Sequence, residues 1–341
     1  MTMRIVHAVR SDGFAGVESH IARLAVGQAR AGHRVAVIGG DPEAMRQAMA
    51  GADVRQRPAA TASEVVRGLD AYRHSDILPG HMTAAAAAAV AAVRAWPRPV
   101  VTTRHFAAHR GATRRGRLAA TLVARRIAAQ IAISEYVAAA VEGDSVVVPP
   151  GLPAAPVVPA SERTRTVLVA QRLEAEKRTQ DAIEIFARSG LLQRGWRLAI
   201  AGDGARRAHL GDTARRWGVA AATDFLGHRR DVPELMRTAG LLIAPCDIEG
   251  LGLTVVEAMA VGLPVVACAA GGHLETVGAA TAGALYPVGD LSAGADLVRC
   301  LAVDDERRVA YGAELAQIQS TRFTVEAQVA GVDAVYRAVL S

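Results

Sequence analysis

Short apolar runs alternate with amphipathic segments along most of this 341-residue chain, and no other feature restricts its fold as strongly. In the first half the apolar runs include RIVHAV, RVAVIGG, PVVTT and AQIAIS. In the second half they include TVLVA, RLAIAG, TDFLG, GLLIAP and PVVACA, with helix-like segments between them. Short buried strands that alternate with helices form a parallel sheet with helices on both faces. The pattern therefore predicts an α/β protein with two Rossmann-like, doubly wound domains.

A proline-rich segment divides the two halves. Residues 146–165 contain five prolines, and proline at that density breaks both helices and strands. We predict an N-terminal domain at 1–150, a linker at 151–165 and a C-terminal domain at 166–322. Since ligands bind beyond the carboxyl ends of the strands in such sheets, we expect the site in a cleft where the two domains face each other.

Composition limits the cellular setting. The longest run of small apolar residues, AAAAAAVAA from Ala84, is shorter than the roughly 20 residues that span a bilayer. The N-terminus, MTMRIVHAV, enters a predicted strand without a charged leader, so we expect no signal peptide. The three cysteines, Cys246, Cys268 and Cys300, form no Cys-x-x-Cys pair. Together these features indicate a cytoplasmic protein.

The net charge of +6 is unevenly distributed. Between Ile77 and Ser134 there is no Asp or Glu but nine arginines, and they are densest in residues 104–126. Such a stretch suits an anionic partner, either acidic lipid headgroups, a phosphorylated substrate or nucleic acid, or it is a solvated face. No helix-turn-helix, zinc-finger or aromatic-basic pattern accompanies it, so nucleic acid is not expected.

Polar and glycine-rich residues follow most of the predicted strands. They are the Gly13–Gly16 loop, His81 and His105 in the first half, and Arg172 with Lys177, Gly202–Gly204, Gly227–Arg229 and Glu249 in the second. Parallel strands end at one edge of a sheet, so these residues are candidates for a ligand site. His273 lies on a loop close to that edge. The histidines assigned to the core or the surface are His7, His20, His33, His74, His209 and His228.

The segment EGLGLTVVEAMAVGLPVV is a candidate anion site. Gly250 and Gly252 allow a ligand to approach the backbone closely. Free amides at a helix start attract anions, and those available here belong to Leu251, Gly252, Leu253 and Thr254. Neither G-x-G-x-x-G after a strand nor G-x-x-x-x-G-K-[ST] occurs, which argues against a dinucleotide oxidoreductase and a P-loop ATPase.

Two glutamates belong to this segment. Glu249 and Glu257 are eight positions apart, and both face one elongated ligand if Glu249 lies in the loop and Glu257 in the first helical turn. TVVE is also a capping-box sequence, in which Glu257 bonds the backbone of Thr254. A glycosidase carboxylate pair is a third interpretation, although such pairs rarely lie this close in sequence. The residues alone leave the role of Glu257 open.

The same segment, EGLGLTVVEAMAVGLPVVA, resembles the E-x7-E signature of retaining glycosyltransferases of the two-domain GT-B fold, glycosyltransferase family 4. QRLEAEKRTQDAI is similar to the family's G-R-L-x-x-E-K segment. RLAIAGDGARRAHL, DFLGHRRDVPELMRTAGLLIAP and GGHLETV match the neighbouring segments in order and spacing. GFAGVESHIARLA and FTVEAQVAGVDAVYRAVL resemble the two ends of the family pattern. The resemblance covers essentially the whole chain and is weaker before residue 150.

This resemblance implies roles for the candidate residues. By resemblance, Arg172 and Lys177 bind the diphosphate of the donor, and the Gly16 loop approaches it. Glu249 binds hydroxyls of the donor sugar, and His105 lies by the reacting sugar. Glu257 binds the ribose, and Gly227–Arg229 line the base. Gly202 belongs to the same substrate-binding set, and residues 323–341 form a final helix that crosses back to the N-terminal domain. The chain departs from the family at Gln171 and Ala15, where glycine is usual.

Lys177 is the only lysine among 39 basic residues. As the glycosidic bond breaks, negative charge builds on the leaving nucleoside diphosphate, and the chain has no Asp-x-Asp pair to hold a metal against it. Arg172, Lys177 and helix-end amides can stabilise that charge instead. Lysine differs from arginine in offering a compact point charge on a flexible stem. Chance survival of one lysine is the alternative.

We therefore expect a retaining, metal-independent glycosyltransferase that needs no cofactor. Its donor would be a UDP- or GDP-sugar, and its acceptor a hydroxyl group, either lipid-linked or on a cell-surface glycan precursor. The arginines of 104–126 would give weak contact with anionic membrane at the inner face of the cell membrane. The rival interpretations are a nucleotide-sugar epimerase of the same fold, which needs no acceptor, and a non-catalytic nucleotide-sugar-binding subunit.

Overall fold

The computed structural model describes residues 2–82, 98–108 and 123–341. The chain forms two compact units, of which the first comprises Met1–Gly151 with Phe323–Ser341 and the second comprises Leu152–Arg322. The proline-rich residues 152–165 therefore belong to the second unit. Val146–Val147, at the start of the proline-rich segment, form a short strand of the first unit.

The described part of the first unit contains a parallel sheet of seven strands in the order β3-β2-β1-β4-β5-β6-β7. The strands are β1 Arg4–Val9, β2 Arg34–Ile38, β3 Val54–Arg57, β4 Leu78–His81, β5 Val100–Arg104, β6 Ile127–Ala132 and β7 Val146–Val147. The helices described in this unit are α1 Gly16–Arg30, α2 Pro42–Ala48, α3 Ala62–Asp70, α4 Glu135–Ala140 and, at the C-terminus, α11 Val325–Leu340.

Successive residues of β1 face opposite sides of this sheet, as the pleat requires. Ile5 packs with Tyr336 of α11, whereas Val6 packs with Val65 of α3. The terminal helix is thus part of the core of the first unit. It brings Asp333, a buried carboxylate, beneath the sheet-covering helix α1.

The second unit contains a parallel sheet of six strands in the order β10-β9-β8-β11-β12-β13. The strands are β8 Thr166–Ala170, β9 Arg197–Ala201, β10 Thr223–Gly227, β11 Leu241–Ala244, β12 Val265–Cys268 and β13 Leu285–Tyr286. The helices are α5 Thr179–Arg188, α6 Arg207–Arg216, α7 Val232–Thr238, α8 Leu253–Ala260, α9 Leu291–Val303 and α10 Asp305–Arg322. Both predicted Rossmann-like domains are confirmed.

The arginine-rich stretch lies largely outside this description. Arg114, Arg115 and Arg117, on which the membrane expectation depends, are not among the described residues. Within the described ranges, no helix combines the length and the hydropathy needed to cross a bilayer.

Candidate functional site

Lys177 lies on a short turn that follows β8 in the second unit. The turn Ala175–Lys177 is a single 3₁₀ turn, and the next residue, Arg178, has a left-handed backbone with φ 53°. The side-chain amide of Gln171 donates to the carbonyl of Lys177 at 2.8 Å and to the hydroxyl of Thr179 at 2.9 Å. Gln171 thus holds the turn that carries the lysine.

Arg178 ties this turn to the loop after β11. Its guanidinium contacts the carboxylate of Asp181 at 2.7 Å and that of Asp247 at 3.2 Å. The hydrogen bond to Asp181 is the main reason that the pKa of Arg178 is raised. Because Asp247 is two residues before Glu249, the pair fixes the two loops against each other.

The structure brings Lys177 and Glu249 into direct contact, although they are far apart in sequence. The ammonium nitrogen lies 2.6 Å from Glu249 Oε2, and the two side chains are 19% and 24% exposed. A partly buried pair interacts more strongly than a surface pair, because the surrounding dielectric constant is lower. The cation is held in place and remains reachable from solvent.

Gly252 begins the helix that follows Glu249. It has a φ of 88°, in the left-handed region that glycine adopts without cost, and it is the N-cap of α8. No side chain caps this helix start, so the first amides, at Leu253 and Thr254, have no cap partner within the described residues. These amides suit an anion, as the sequence predicts.

The position of this cap corrects the capping-box interpretation. Thr254 is the second residue of α8 rather than its N-cap, so TVVE is not a capping box. The sequence interpretation placed Glu257 in the first helical turn. In the structure it is the fifth helical residue and lies beyond that turn. The role of Glu257 as a ligand for ribose stays a prediction.

Gly202 is required by the packing of the backbone. A Cβ atom at this position would lie 1.8 Å from the carbonyl oxygen of Gln171. The amide of Gly202 donates to the carbonyl of Gly227 at 2.8 Å, and the amide of Leu173 donates to the carbonyl of Asp203 at 2.9 Å. The two predicted glycines therefore support the backbone that leads to the Lys177 turn.

The two other predicted cations bond carboxylates other than Glu249. Arg172 is 66% exposed and contacts Glu176 at 3.2 Å. Arg229 contacts Asp231 at 2.7 Å, and this hydrogen bond raises the pKa of Arg229. Neither guanidinium bonds Glu249 in the described structure. Their predicted contacts with the diphosphate and the base stay predictions.

His273 is a buried neighbour of the same loop. Its Nδ1 lies 3.2 Å from the carbonyl oxygen of Cys268, and burial lowers its pKa. Its ring approaches Gly252 closely enough that a Cβ there would lie 3.2 Å from it. His273 thus supports the start of α8.

In the first unit, the predicted residues lie at the carboxyl edge of the sheet. Gly16 is exposed and is the first residue of α1, and the carboxylate of Glu18 accepts a hydrogen bond from the amide of Ala15 at 3.0 Å. His81 ends β4, and His105 follows β5. Both histidines are buried, and His81 Nδ1 lies 3.1 Å from His105 Nε2.

Sequence reasoning missed two members of this group. His7 and His20, which were assigned to the core or the surface by default, join His81 and His105 in one buried cluster. Desolvation lowers the pKa of His7 and of His105 to about 4, and it lowers the pKa of His20 and His81 as well. A histidine in the middle of the apolar run RIVHAV was the available signal, because a buried polar ring requires partners.

Comparison with known proteins places both halves of the chain. Residues 155–316 match the family "Glycosyl transferases group 1", and residues 14–154 match "Glycosyltransferase Family 4". LpsB of Rhizobium meliloti, a lipopolysaccharide core biosynthesis mannosyltransferase, is 31% identical over 152 residues, which are 42% of this chain and 43% of LpsB. An exopolysaccharide phosphotransferase of Streptomyces coelicolor is 32% identical over 164 residues, which are 48% of this chain and 17% of that protein. The chain thus spans less than half the length of either relative.

Among solved structures, HepE of Anabaena in complex with UDP and glucose superposes with a TM-score of 0.82 at 21% identity, over 98% of this chain and 100% of that one. The fold is therefore GT-B, an α/β fold of two Rossmann-like domains. The two family matches lie end to end along the chain, and they support its placement among the group 1 and family 4 glycosyltransferases.

Proposed function

We propose that this protein is a retaining glycosyltransferase that moves a sugar from a UDP- or GDP-sugar to a hydroxyl acceptor without a metal ion. The observation that carries the proposal is the Lys177–Glu249 pair at 2.6 Å, next to the uncapped start of α8. A cation and free amides suit a diphosphate, whereas a carboxylate accepts hydrogen bonds from sugar hydroxyls. Donor binding would draw Lys177 toward phosphate and free Glu249 for the sugar.

Stabilisation of the leaving group follows from these parts. Charge develops on the diphosphate as the bond to the sugar breaks, and donors that are already in place stabilise it without reorganisation. Arg172 lies on the same segment and would close on the diphosphate from an exposed position. The nucleotide-sugar class is supported by HepE, whose structures contain UDP with glucose and UDP-glucose.

A panel of UDP- and GDP-sugars tests the proposal in two stages. Thermal shift identifies the donor, because ligand binding to the folded state raises stability. Incubation of that donor with hydroxyl acceptors should then release UDP or GDP and give a glycoside of unchanged anomeric configuration, in EDTA as well as without it. Formation of an altered sugar nucleotide in the absence of acceptor would indicate an epimerase. Donor binding with neither sugar transfer nor donor hydrolysis would indicate a non-catalytic subunit.

A further inference from the structure

The histidines of the first unit form a hydrogen-bonded column across three neighbouring strands. His7 lies on β1, His81 on β4 and His105 just after β5, and these strands are adjacent in the sheet. His7 Nδ1 lies 3.0 Å from His81 Nε2, and His81 Nδ1 lies 3.1 Å from His105 Nε2. The three side chains are 0%, 0% and 7% exposed. Water therefore cannot substitute for these bonds, and each ring needs a defined tautomer.

The far end of the column is anchored by groups whose roles are unambiguous. The amide of Met3 donates to His33 Nδ1 at 3.0 Å, so the proton of His33 is on Nε2, which donates to Asp333 Oδ2 at 2.7 Å. Asp333 Oδ1 lies 3.4 Å from Gln28 Nε2. A carboxylate only accepts, so the amide nitrogen of Gln28 faces Asp333 and its oxygen faces His7, at 2.7 Å.

This anchor fixes every proton in the column. Gln28 Oε1 accepts from His7 Nε2, which leaves His7 Nδ1 as the acceptor for His81 Nε2. His81 Nδ1 is then the acceptor for His105 Nε2, and the lone pair of His105 is on Nδ1. Tyr336 also faces Gln28, but its hydroxyl donates or accepts equally well and sets no direction.

The electrostatics agree with this assignment. Burial lowers the pKa of both His7 and His105 to about 4, so the rings are neutral at pH 7 and each carries one proton. Among the described residues, no group bonds His105 Nδ1. His20 packs edge-on against the His105 ring, with centroids 4.9 Å apart, which restricts how that ring turns.

We propose that Asp333, Gln28, His7 and His81 are positioning residues that hold the proton of His105 on Nε2, so that Nδ1 offers a neutral acceptor to a hydroxyl of the sugar substrate. This rests on the proposed glycosyltransferase function for the identity of the ligand. His105 Nδ1 would then bind a substrate group that donates a hydrogen bond. It would not bind a carboxylate or a fluorine, which cannot donate. The terminal helix α11 thereby acts on the carboxyl edge of the sheet through Asp333.

The Asp333→Asn variant tests the direction of the column. The asparagine oxygen accepts from His33, so its NH₂ group faces Gln28 and requires the Gln28 amide to turn over. Every bond of the column then reverses, and His105 carries its proton on Nδ1. ¹⁵N-histidine NMR of the full chain reads this directly, since protonated and bare ring nitrogens have different shifts. Wild type should show His105 with a bare Nδ1 at pH 7, and Asp333→Asn should show the opposite tautomer.

Arg337→Ala is the matched control. Arg337 is 55% exposed and lies 3.7 Å from Asp333 Oδ2, so its removal changes the charge beside Asp333 and leaves the carboxylate in place. We expect the wild-type tautomer in this variant. A protonated Nδ1 in the wild type, or a folded Asp333→Asn protein with the wild-type tautomer, would overturn the proposal. These readouts need no substrate, so they stay informative if the glycosyltransferase function fails.

Activity supplies the second readout. With the donor identified, deoxyfluoro analogues that replace one sugar hydroxyl at a time should include one that wild type rejects by about tenfold in kcat/KM, the value of one hydrogen bond. Asp333→Asn should lose that discrimination, because a protonated Nδ1 no longer needs a donor. Equal discrimination by both proteins would contradict the positioning role while leaving the transferase function intact.

A metal ion is the competing explanation for the cluster. One ring nitrogen each of His20, His81 and His105 lies within 4.8 Å of the others. Both nitrogens of His81, however, already bond His7 and His105. Titration with Zn²⁺ should therefore leave the histidine shifts unchanged. Stoichiometric changes in the NMR shifts of His20, His81 and His105 would show that the cluster binds a metal ion and would overturn the hydrogen-bonded column.

Discussion

The two units share a doubly wound parallel sheet but present opposite chemistry at its carboxyl edge. In the first unit, the polar groups are buried, neutral histidines whose protons are fixed by neighbours. In the second unit, they are charged side chains that stay partly exposed, such as Lys177 and Glu249. One fold therefore carries a buried, uncharged polar edge in one unit and a partly exposed cation held by a carboxylate in the other. The first suits a neutral hydroxyl, and the second suits a diphosphate.

The largest expected difference between the units is their response to acid. A histidine with a lowered folded-state pKa takes up a proton below pH 6.5 only when unfolded, so its neutral form contributes full stability above pH 6.5, and this is lost as the pH falls toward 4. For His7 and His105, with pKa values of about 4, the loss at pH 5 is about 2 kcal/mol each. His20 and His81 shift in the same direction.

Hydrogen exchange of peptides from each unit, measured from pH 7.5 to 4.5, checks this. We expect protection in the first unit to fall below pH 6.5 well before protection in the second, where His273 is the comparable group among the described residues. His20→Phe should reduce the pH dependence in part, because His7, His81 and His105 remain, whereas His74→Gln, at an exposed histidine, should not change it. Simultaneous loss of protection in both units would contradict a difference in acid response between them.

The next largest effect concerns the cation of the second unit. Lys177→Ala should lower turnover by roughly 10²–10³-fold, which is the cost of removing one donor to developing charge. Stability should change little, because Lys177 is not part of a core. The measurement is steady-state kcat with the identified donor, together with the melting temperature.

Two companion variants give this result its meaning. Lys177→Arg keeps the charge and should recover part of the loss, since the fork geometry differs from that of an ammonium. Arg172→Ala should cost less than Lys177→Ala, because Arg172 is 66% exposed and bonded to Glu176. Full turnover by Lys177→Ala would return this lysine to the surface.

The sequence alone predicts the fold of the two units better than it predicts the contacts within their sites. The alternation of strands and helices was sufficient for both sheets. The family resemblance singled out Lys177 and Glu249, whose roles stay predictions. The 2.6 Å contact between them was not predictable, because it depends on the turn held by Gln171 and on the pair of Arg178 with Asp247. Residues that follow different strands meet only when the order of the strands is known.

The histidine column shows the same limit more strongly. His81 and His105 were candidates because of their positions at strand ends. His7 was not, although it interrupts an apolar run, and His20 has no comparable signal in the sequence. The link to Asp333 runs between residues about 300 positions apart. At the start of α8 the capping-box interpretation was wrong, since TVVE fits a capping box while Gly252 occupies the N-cap position. The local capping rule failed here because the helix begins at Leu253, earlier than the TVVE pattern requires.

A smaller effect is expected at Glu257. Because Gly252 is the N-cap of α8, Glu257→Gln removes no capping interaction. The free energy of unfolding should therefore stay within about 1 kcal/mol of the wild-type value. If Glu257 binds ribose hydroxyls, nucleotide affinity should fall by about tenfold, the value of a hydrogen bond to a charged group. Calorimetric titration with UDP and GDP measures it. Unchanged affinity would remove Glu257 from the nucleotide site.

The smallest effect per residue concerns the arginine-rich sequence in the first half of the chain. The stretch from Ile77 to Ser134 holds nine arginines without a carboxylate, whereas the second unit mixes both signs. Each arginine near an anionic bilayer contributes about 1 kcal/mol, and salt screens the attraction. The combined change of Arg114, Arg115 and Arg117 to Ser should therefore reduce sedimentation with anionic liposomes at low salt and leave sedimentation with neutral liposomes unchanged.

The matched variant changes Arg194, Arg215 and Arg299, all exposed in the second unit, to Ser. Because net charge falls equally in both variants, a loss confined to the first assigns membrane contact to that stretch. An equal loss in both would show attraction by net charge alone, and no binding by wild type would leave a soluble acceptor as the substrate.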